Sequence, residues 1–198
     1  APTKLESFFQ VSWQKLPLVI SRQKQNYYDG IFKTDNFDSL LMKNNVRNGI
    51  DLEIDEGSSK SSDTKLSGRA YPSPMWDRFS IGSRVILHNS QAFDRQIWKI
   101  LAALQESLGV VWKCMICMTP ADAESLSPRH NEVDMFILQL EGASVWKLYS
   151  RRARKSSDDH QNLASDSDAT LKQCVLNPGD LLYIPPGIIY ESKNQETH

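Results

Sequence analysis

Two apolar-rich stretches organise the chain, SPRHNEVDMFILQLEGASVWKLY over Ser127–Tyr149 and NPGDLLYIPPGIIY over Asn177–Tyr190. Both are rich in β-branched and aromatic residues. Their glycines, Gly142 in the first and Gly179 and Gly187 in the second, fall where turns are needed. The pattern predicts two strand–turn units of an antiparallel β fold.

The rest of the chain supplies flanking elements. Leu5, Phe8, Phe9 and Trp13 have helical spacing, with Thr3 as N-cap and Glu6 three residues on. Pro17 ends that helix, and Leu18–Ile20 reads as a short strand. Tyr27–Met42 predicts one or two short helices, capped at Asp35 or Asn36, with Phe37, Leu40 and Leu41 facing inward. Val46–Ile54 reads as a strand, and the polar, serine-rich stretch 57–68 as a surface loop. Arg84–Asn89 predicts a strand with His88 near its end, most simply a hydrogen-bonded strand residue. Phe93, Ile97, Ile100, Leu101, Leu104 and Leu108 form one helical stripe, closed by Gly109 as C-cap. Strands are expected over Val110–Met118 and Leu171–Leu176.

Composition narrows the class. At 198 residues and 22.5 kDa the chain suits a single domain with a real core, 1–80 forming helices, strands and a loop and 81–198 the β core. A net charge of −1 gives no global basic field for nucleic acid or an anionic membrane. No apolar run reaches bilayer length, which predicts a soluble protein. Three cysteines give no disulfide framework and suit a reducing compartment. Cys114 and Cys117 have C-x-x-C spacing, but in an extended run residues three apart point to opposite faces, so they read as two strand cysteines.

The two organising stretches resemble the halves of the metal-binding core in JmjC-type cupin oxygenases, nearest to the Mina-type ribosomal oxygenases. The family's first half opens P-H-x-D and runs into FILQLEG-x-x-x-W-x-x-Y, and its second reads PGDLLY-x-P-x-G-x-x-H. Here Pro128 is followed by Arg129-His130-Asn131, then by FILQLEGASVWKLY, and the second half reads PGDLLYIPPGIIY. The entry pattern FF-x-x-x-W-x-x-x-P-L-x-I and the helix–strand–TPA run before the first motif are also similar. The resemblance implies a mainly β fold with flanking helices, a double-stranded β-helix or jelly roll. It further implies a closing strand, dimerisation helices and a winged-helix domain after the second motif, which a chain ending at His198 is expected to lack.

The framework is kept while the chemistry is changed. An Fe(II)/2-oxoglutarate oxygenase needs two His and one carboxylate on one face of the metal. On the resemblance, Arg129 stands at the first His position, Asn131 at the carboxylate and Tyr190 at the second His. The co-substrate lysine falls at Ser144 and a co-substrate tyrosine at Cys117. Arginine has no lone pair to give, asparagine offers only a neutral carbonyl, and a lone phenol does not hold Fe(II). With five positions changed, no metal or 2-oxoglutarate binding is expected, and Arg129 is expected to fill the metal position, paired with Glu132 or Asp134. One alternative is a shifted H-x-E site at His130 and Glu132, completed by His198. Against it, the match over Thr119–Tyr149 has no gap, and a slip of one residue turns every side chain to the other face.

The resemblance therefore implies a catalytically inactive JmjC-like component of the ribosome, of ribosome assembly or of another large complex, with an open sheet edge that a partner strand can cover. An active protein histidyl hydroxylase using Fe(II) and 2-oxoglutarate is the alternative, and a cupin holding another small ligand a third. The basic run Arg151, Arg152, Arg154 and Lys155 reads first as a solvated loop and second as an RNA or protein contact. The family's compartment implies the nucleus or nucleolus, with the mitochondrion as alternative. Oligomeric state is left open.

Overall fold

In the turn Asn177–Asp180 the chain reverses between two strands because its polar groups close on themselves. The Asp180 amide donates to the Asn177 carbonyl at 2.9 Å, and the Asn177 amide donates to Asp180 Oδ2 at 3.0 Å. The computed structural model describes residues 3–56, 66–121, 123, 125, 128–150 and 170–195. The chain divides into two compact units, Ala1–Tyr28 with Ser125–His198, and Asp29–Glu124.

The first unit holds two antiparallel sheets. One has the order β1 (Leu18–Ile20), β9 (Leu181–Ile184), β6 (Met135–Leu138). The other has the order β5 (Arg129–His130), β10 (Ile189–Asn194), β7 (Ser144–Tyr149), β8 (Thr170–Leu176). Leu182 and Ile184 from the first sheet meet Leu148, Leu176 and Tyr190 from the second in one buried cluster. Each such aliphatic side chain contributes roughly 1.5–3 kcal/mol by burial. Two antiparallel sheets closed on a shared core, fed by strands that cross between them, form the expected jelly roll.

The outer face of β9 is covered by the N-terminal segment. Helix α1 spans only Leu5–Ser7 and continues as a π-turn, Phe8–Ser12, whose Trp13 amide donates to the Phe8 carbonyl at 2.9 Å. That i→i+5 bond puts Phe8 and Trp13 on one face, with ring centroids 5.8 Å apart. Trp13 stacks on Tyr183 at 6.0 Å, and Phe136, the cross-strand neighbour of Tyr183, packs at 4.9 Å. The regular helix expected over Leu5–Trp13 is therefore corrected to a wound turn. Lys4 rather than Thr3 holds the N-cap, no side chain caps it, and Leu5 is exposed.

The second unit carries the sheet β2 (Leu52–Asp55), β3 (Arg84–Leu87), β4 (Ile116–Met118), with helices α2 (Phe37–Lys43), α3 (Pro72–Ser80) and α4 (Arg95–Leu108). Phe37, Leu40 and Leu41 are buried, as their spacing predicts. Asn36 stands at the α2 N-cap without a side-chain bond. Asp94 caps α4 by accepting from the amides of Gln96 and Ile97 at 2.8 and 2.9 Å, and Gly109 closes it. Of the predicted α4 stripe only Ile97 is fully buried. Three predicted strands are shorter than expected, Arg84–Asn89 among them, since β3 ends at Leu87 and leaves His88 outside it. Before β2 the carbonyl of Arg47 accepts from the amides of Ile50, Asp51 and Leu52, which makes a turn of the start of Val46–Ile54. Before β4, Cys114 is tied off the sheet, its amide to Gln91 Oε1 and its carbonyl to Ser90. Cys117 alone of that pair lies in a strand.

Candidate functional site at the β5–β10 ladder

The short strand β5 runs antiparallel to β10, with Arg129 opposite Tyr190 and His130 opposite Ile189. Directly opposed residues of an antiparallel pair project to the same side of the sheet. Arg129 and Tyr190 thus share the face that carries Leu148 and the buried cluster, while His130 projects to the other. The register is locked beyond β5, where the Gly187 amide donates to the Asn131 carbonyl at 2.7 Å. The three residues set by resemblance at the metal-ligand positions are brought together.

Tyr190 is 8% exposed, and its ring centroid lies 5.8 Å from that of Trp146. Burial pushes its phenol up, against the opposing pull of the Asn131 side chain and the Arg129 charge. The phenol therefore stays neutral at physiological pH and keeps its O–H as a donor. Arg129 is exposed at the rim. The Asn131 amide reaches Met135 Sδ at 3.2 Å.

This donor set does not fit Fe(II). A guanidinium offers N–H groups and a positive charge to the metal position, and the amide and neutral phenol supply no anionic oxygen in compensation. Glu132 Oε1 lies 3.4 Å from His130 Nε2, and Asp134 accepts from the Tyr183 hydroxyl, so both nearby acids engage other side chains. Among the described residues no group of three or more His, Cys, Asp or Glu stands close enough to hold a metal ion. His130 and Glu132 do meet on one side of the chain. Their proposed third partner, His198, lies outside the described residues, as does the basic run Arg151, Arg152, Arg154 and Lys155.

Ser144, set by resemblance at the co-substrate lysine position, is 6% exposed. Its hydroxyl donates to Gln139 Oε1 at 2.7 Å and accepts from Trp146 Nε1 at 2.9 Å. Gln139 in turn donates to the Glu141 carbonyl at 2.8 Å. The hydroxyl is thus a junction of an internal network rather than a free donor for a carboxylate. Gln139 and Trp146 were legible only as framework letters, since nothing in their spacing signals this bond. Cys117 belongs to the Asp29–Glu124 unit, exposed on β4, with its Sγ 3.7 Å from Thr119 Oγ1. The Cys114 thiol is pushed up by burial, the reverse of a reactive thiolate.

Comparison with known proteins agrees with this architecture. A family model described as JmjC domain matches residues 86–198, taking in parts of both units. The chain is 32% identical over 195 residues to Ribosomal oxygenase 1 of Danio rerio, covering 96% of this chain and 36% of that protein. It is 30% identical over 205 residues to the bifunctional lysine-specific demethylase and histidyl-hydroxylase NO66 of Aedes aegypti, covering 100% of this chain and 32% of that protein. The chain thus spans about a third of the length of these relatives. The solved structure of YcfD, a ribosomal oxygenase from Escherichia coli in complex with cobalt and 2-oxoglutarate, superposes with a TM-score of 0.68. That match covers 98% of this chain and 49% of that one at 21% identity.

Proposed function

The chain belongs to the JmjC domain family, in its ribosomal oxygenase group, and we propose that it acts there as a non-catalytic binding component rather than as an oxygenase. The observation that carries this reading is the register of β5 on β10, which sets Arg129 against Tyr190 with Asn131 beside them. A guanidinium there repels the cation that oxygenase chemistry requires. The buried Ser144 network supports the same reading at the co-substrate lysine position.

The jelly roll is retained, on this reading, because its surface is used. Relatives named ribosomal oxygenase support a ribosomal protein or a ribosome-assembly intermediate as partner, and the nucleus or nucleolus is proposed as compartment, with the mitochondrion as alternative. The two units together are proposed to form one JmjC domain.

One observation favours a second reading, an active protein histidyl hydroxylase. His130 Nε2 stands 3.4 Å from Glu132 Oε1, two members of a shifted ligand set. Turnover separates the two. With Fe(II), ascorbate, 2-oxoglutarate, dioxygen and ribosomal protein substrates, the binding-component reading predicts no succinate formation above a no-enzyme blank. Succinate formation that disappears in His130→Ala and Glu132→Ala would establish the hydroxylase instead.

A further inference from the structure

Strand β8 stands at one end of the sheet β5–β10–β7–β8, and among the described residues it pairs with β7 alone. It runs seven residues, Thr170–Leu176, whereas the other five end strands of the three sheets have two to four. Short end strands and charged edges keep sheets from pairing with other chains. Strand β2 carries Glu53 and Asp55, but β8 carries a single charge, Lys172. Cys174 and Leu176 turn toward the buried cluster, so Leu171, Gln173 and Val175 take the other face. All three are exposed, Leu171 at 50% and Val175 at 43%. The register shift beside Leu171 bounds the regular ladder at that end.

We propose that β8 is the edge by which two copies of this chain join, pairing antiparallel about a twofold axis at Gln173. The side chains choose that register. With Gln173 opposite itself the whole strand is paired, Leu171 of each copy faces Val175 of the other on the exposed side, and Lys172 faces Cys174 on the inner side. Centring on Lys172 sets like charges opposite each other, and centring on Cys174 sets Val175 against Gln173. Centring on Leu171 or Val175 leaves only three residues of the strand paired. In the Gln173 register the row through the axis runs Glu191, Lys147, Gln173 in each copy, with Lys147 held by Glu191 at 3.1 Å. Polar residues thus line up across the junction and apolar ones flank them. The main-chain edge supplies the affinity and the alternate side chains the register. The inference stands apart from the non-catalytic reading, since β8 carries none of the positions set at the metal or the co-substrate.

Sedimentation velocity of the whole chain over a wide concentration range tests this, and a reversible dimer is expected. Val175→Lys should weaken dimerisation about tenfold or more, since a twofold interface takes each substitution twice. Gln173→Glu should weaken it too, because two carboxylates then oppose each other at the axis. Within the chain the new acid faces Lys147, so the urea midpoint of that variant should hold or rise. Leu171→Lys combined with Val175→Glu should restore the dimer that Leu171→Lys alone weakens, because each lysine then faces a glutamate of the other copy. Within one strand the two positions lie roughly 13 Å apart, too far to pair. A monomer at every concentration, a dimer unchanged in either Val175→Lys or Gln173→Glu, or a double variant no tighter than Leu171→Lys would overturn the proposal.

Discussion

Tyr190 on β10 lies directly opposite Arg129 on β5, and on the proposed reading both stand where the resemblance sets metal-binding histidines. The pairing matters because neither change can be compensated by the other. A phenol facing a guanidinium makes a polar rim of donors, whereas two imidazoles facing a carboxylate make a chelate.

Restoring one residue should therefore restore nothing. Tyr190→His alone leaves the guanidinium in the metal position, and no Mn(II) binding is expected. The triple variant Arg129→His, Asn131→Asp, Tyr190→His should bind Mn(II) about a hundredfold or more tighter than the single variant, because two further metal–ligand bonds and a negative charge are added. Electron paramagnetic resonance of bound Mn(II) reads the difference. Equal binding in the two variants would show that the β5–β10 ladder does not define the site.

Ser144→Lys, which restores the co-substrate residue, should destabilise the protein. It removes the hydroxyl that joins Gln139 to Trp146 and puts an ammonium at a position that is 6% exposed. A cost of about 2–4 kcal/mol follows from one lost hydrogen-bond junction and one poorly solvated charge. Urea unfolding checks it, and an unchanged midpoint would mean that the network contributes nothing.

Gly179 anchors the turn into β9. A Cβ there would meet the Lys24 carbonyl oxygen at 2.1 Å, and its φ is +93°. Gly142 has φ +65° but nothing within 4 Å of the same added atom. Gly142→Ala should cost only the left-handed backbone penalty, about 1–2 kcal/mol. Gly179→Ala should cost at least about 2 kcal/mol more, because backbone must move. Chemical denaturation of the two variants side by side gives the comparison.

These positions also indicate what could be read from letters alone. The turn at Gly179 and the strands around it were legible because glycine, proline and alternating apolar residues carry their own geometry. Helix α3 was not legible, since Pro72-Ser73-Pro74 reads as a breaker and only Met75 of its residues is buried. The apolar letters of Val110–Met115 suggested strand, but their backbone bonds go elsewhere and Val111 is 83% exposed. Periodicity reports a face, not a partner. At the site, the changed residue types were plain in the sequence, whereas the closure of Ser144 onto Gln139 and Trp146 depends on a turn that no spacing encodes.

Alkaline pH should weaken the fold through Tyr149. Burial first, and then the 2.6 Å bond to Glu191 Oε1, push its phenol up to about 12. An unfolded tyrosine titrates near 10, so between about 10 and 12 the unfolded state has lost a proton that the folded state keeps. Stability is full below pH 10 and falls as pH rises through that window, by roughly 1–2 kcal/mol from this residue. Tyr149→Phe should flatten the decline. An equal slope in both proteins would assign the alkaline loss to the other tyrosines.

The most direct test of the account is anaerobic titration of the wild-type protein with Fe(II) or Mn(II), followed by 2-oxoglutarate and thermal unfolding. Ligand at about 100 times its dissociation constant would add roughly 2.7 kcal/mol to the folded state, an easily resolved shift. The account predicts no stoichiometric metal and no metal-dependent shift with 2-oxoglutarate. One equivalent of metal with such a shift, abolished in His130→Ala or Glu132→Ala, would contradict it and identify a working site displaced by one residue along β5.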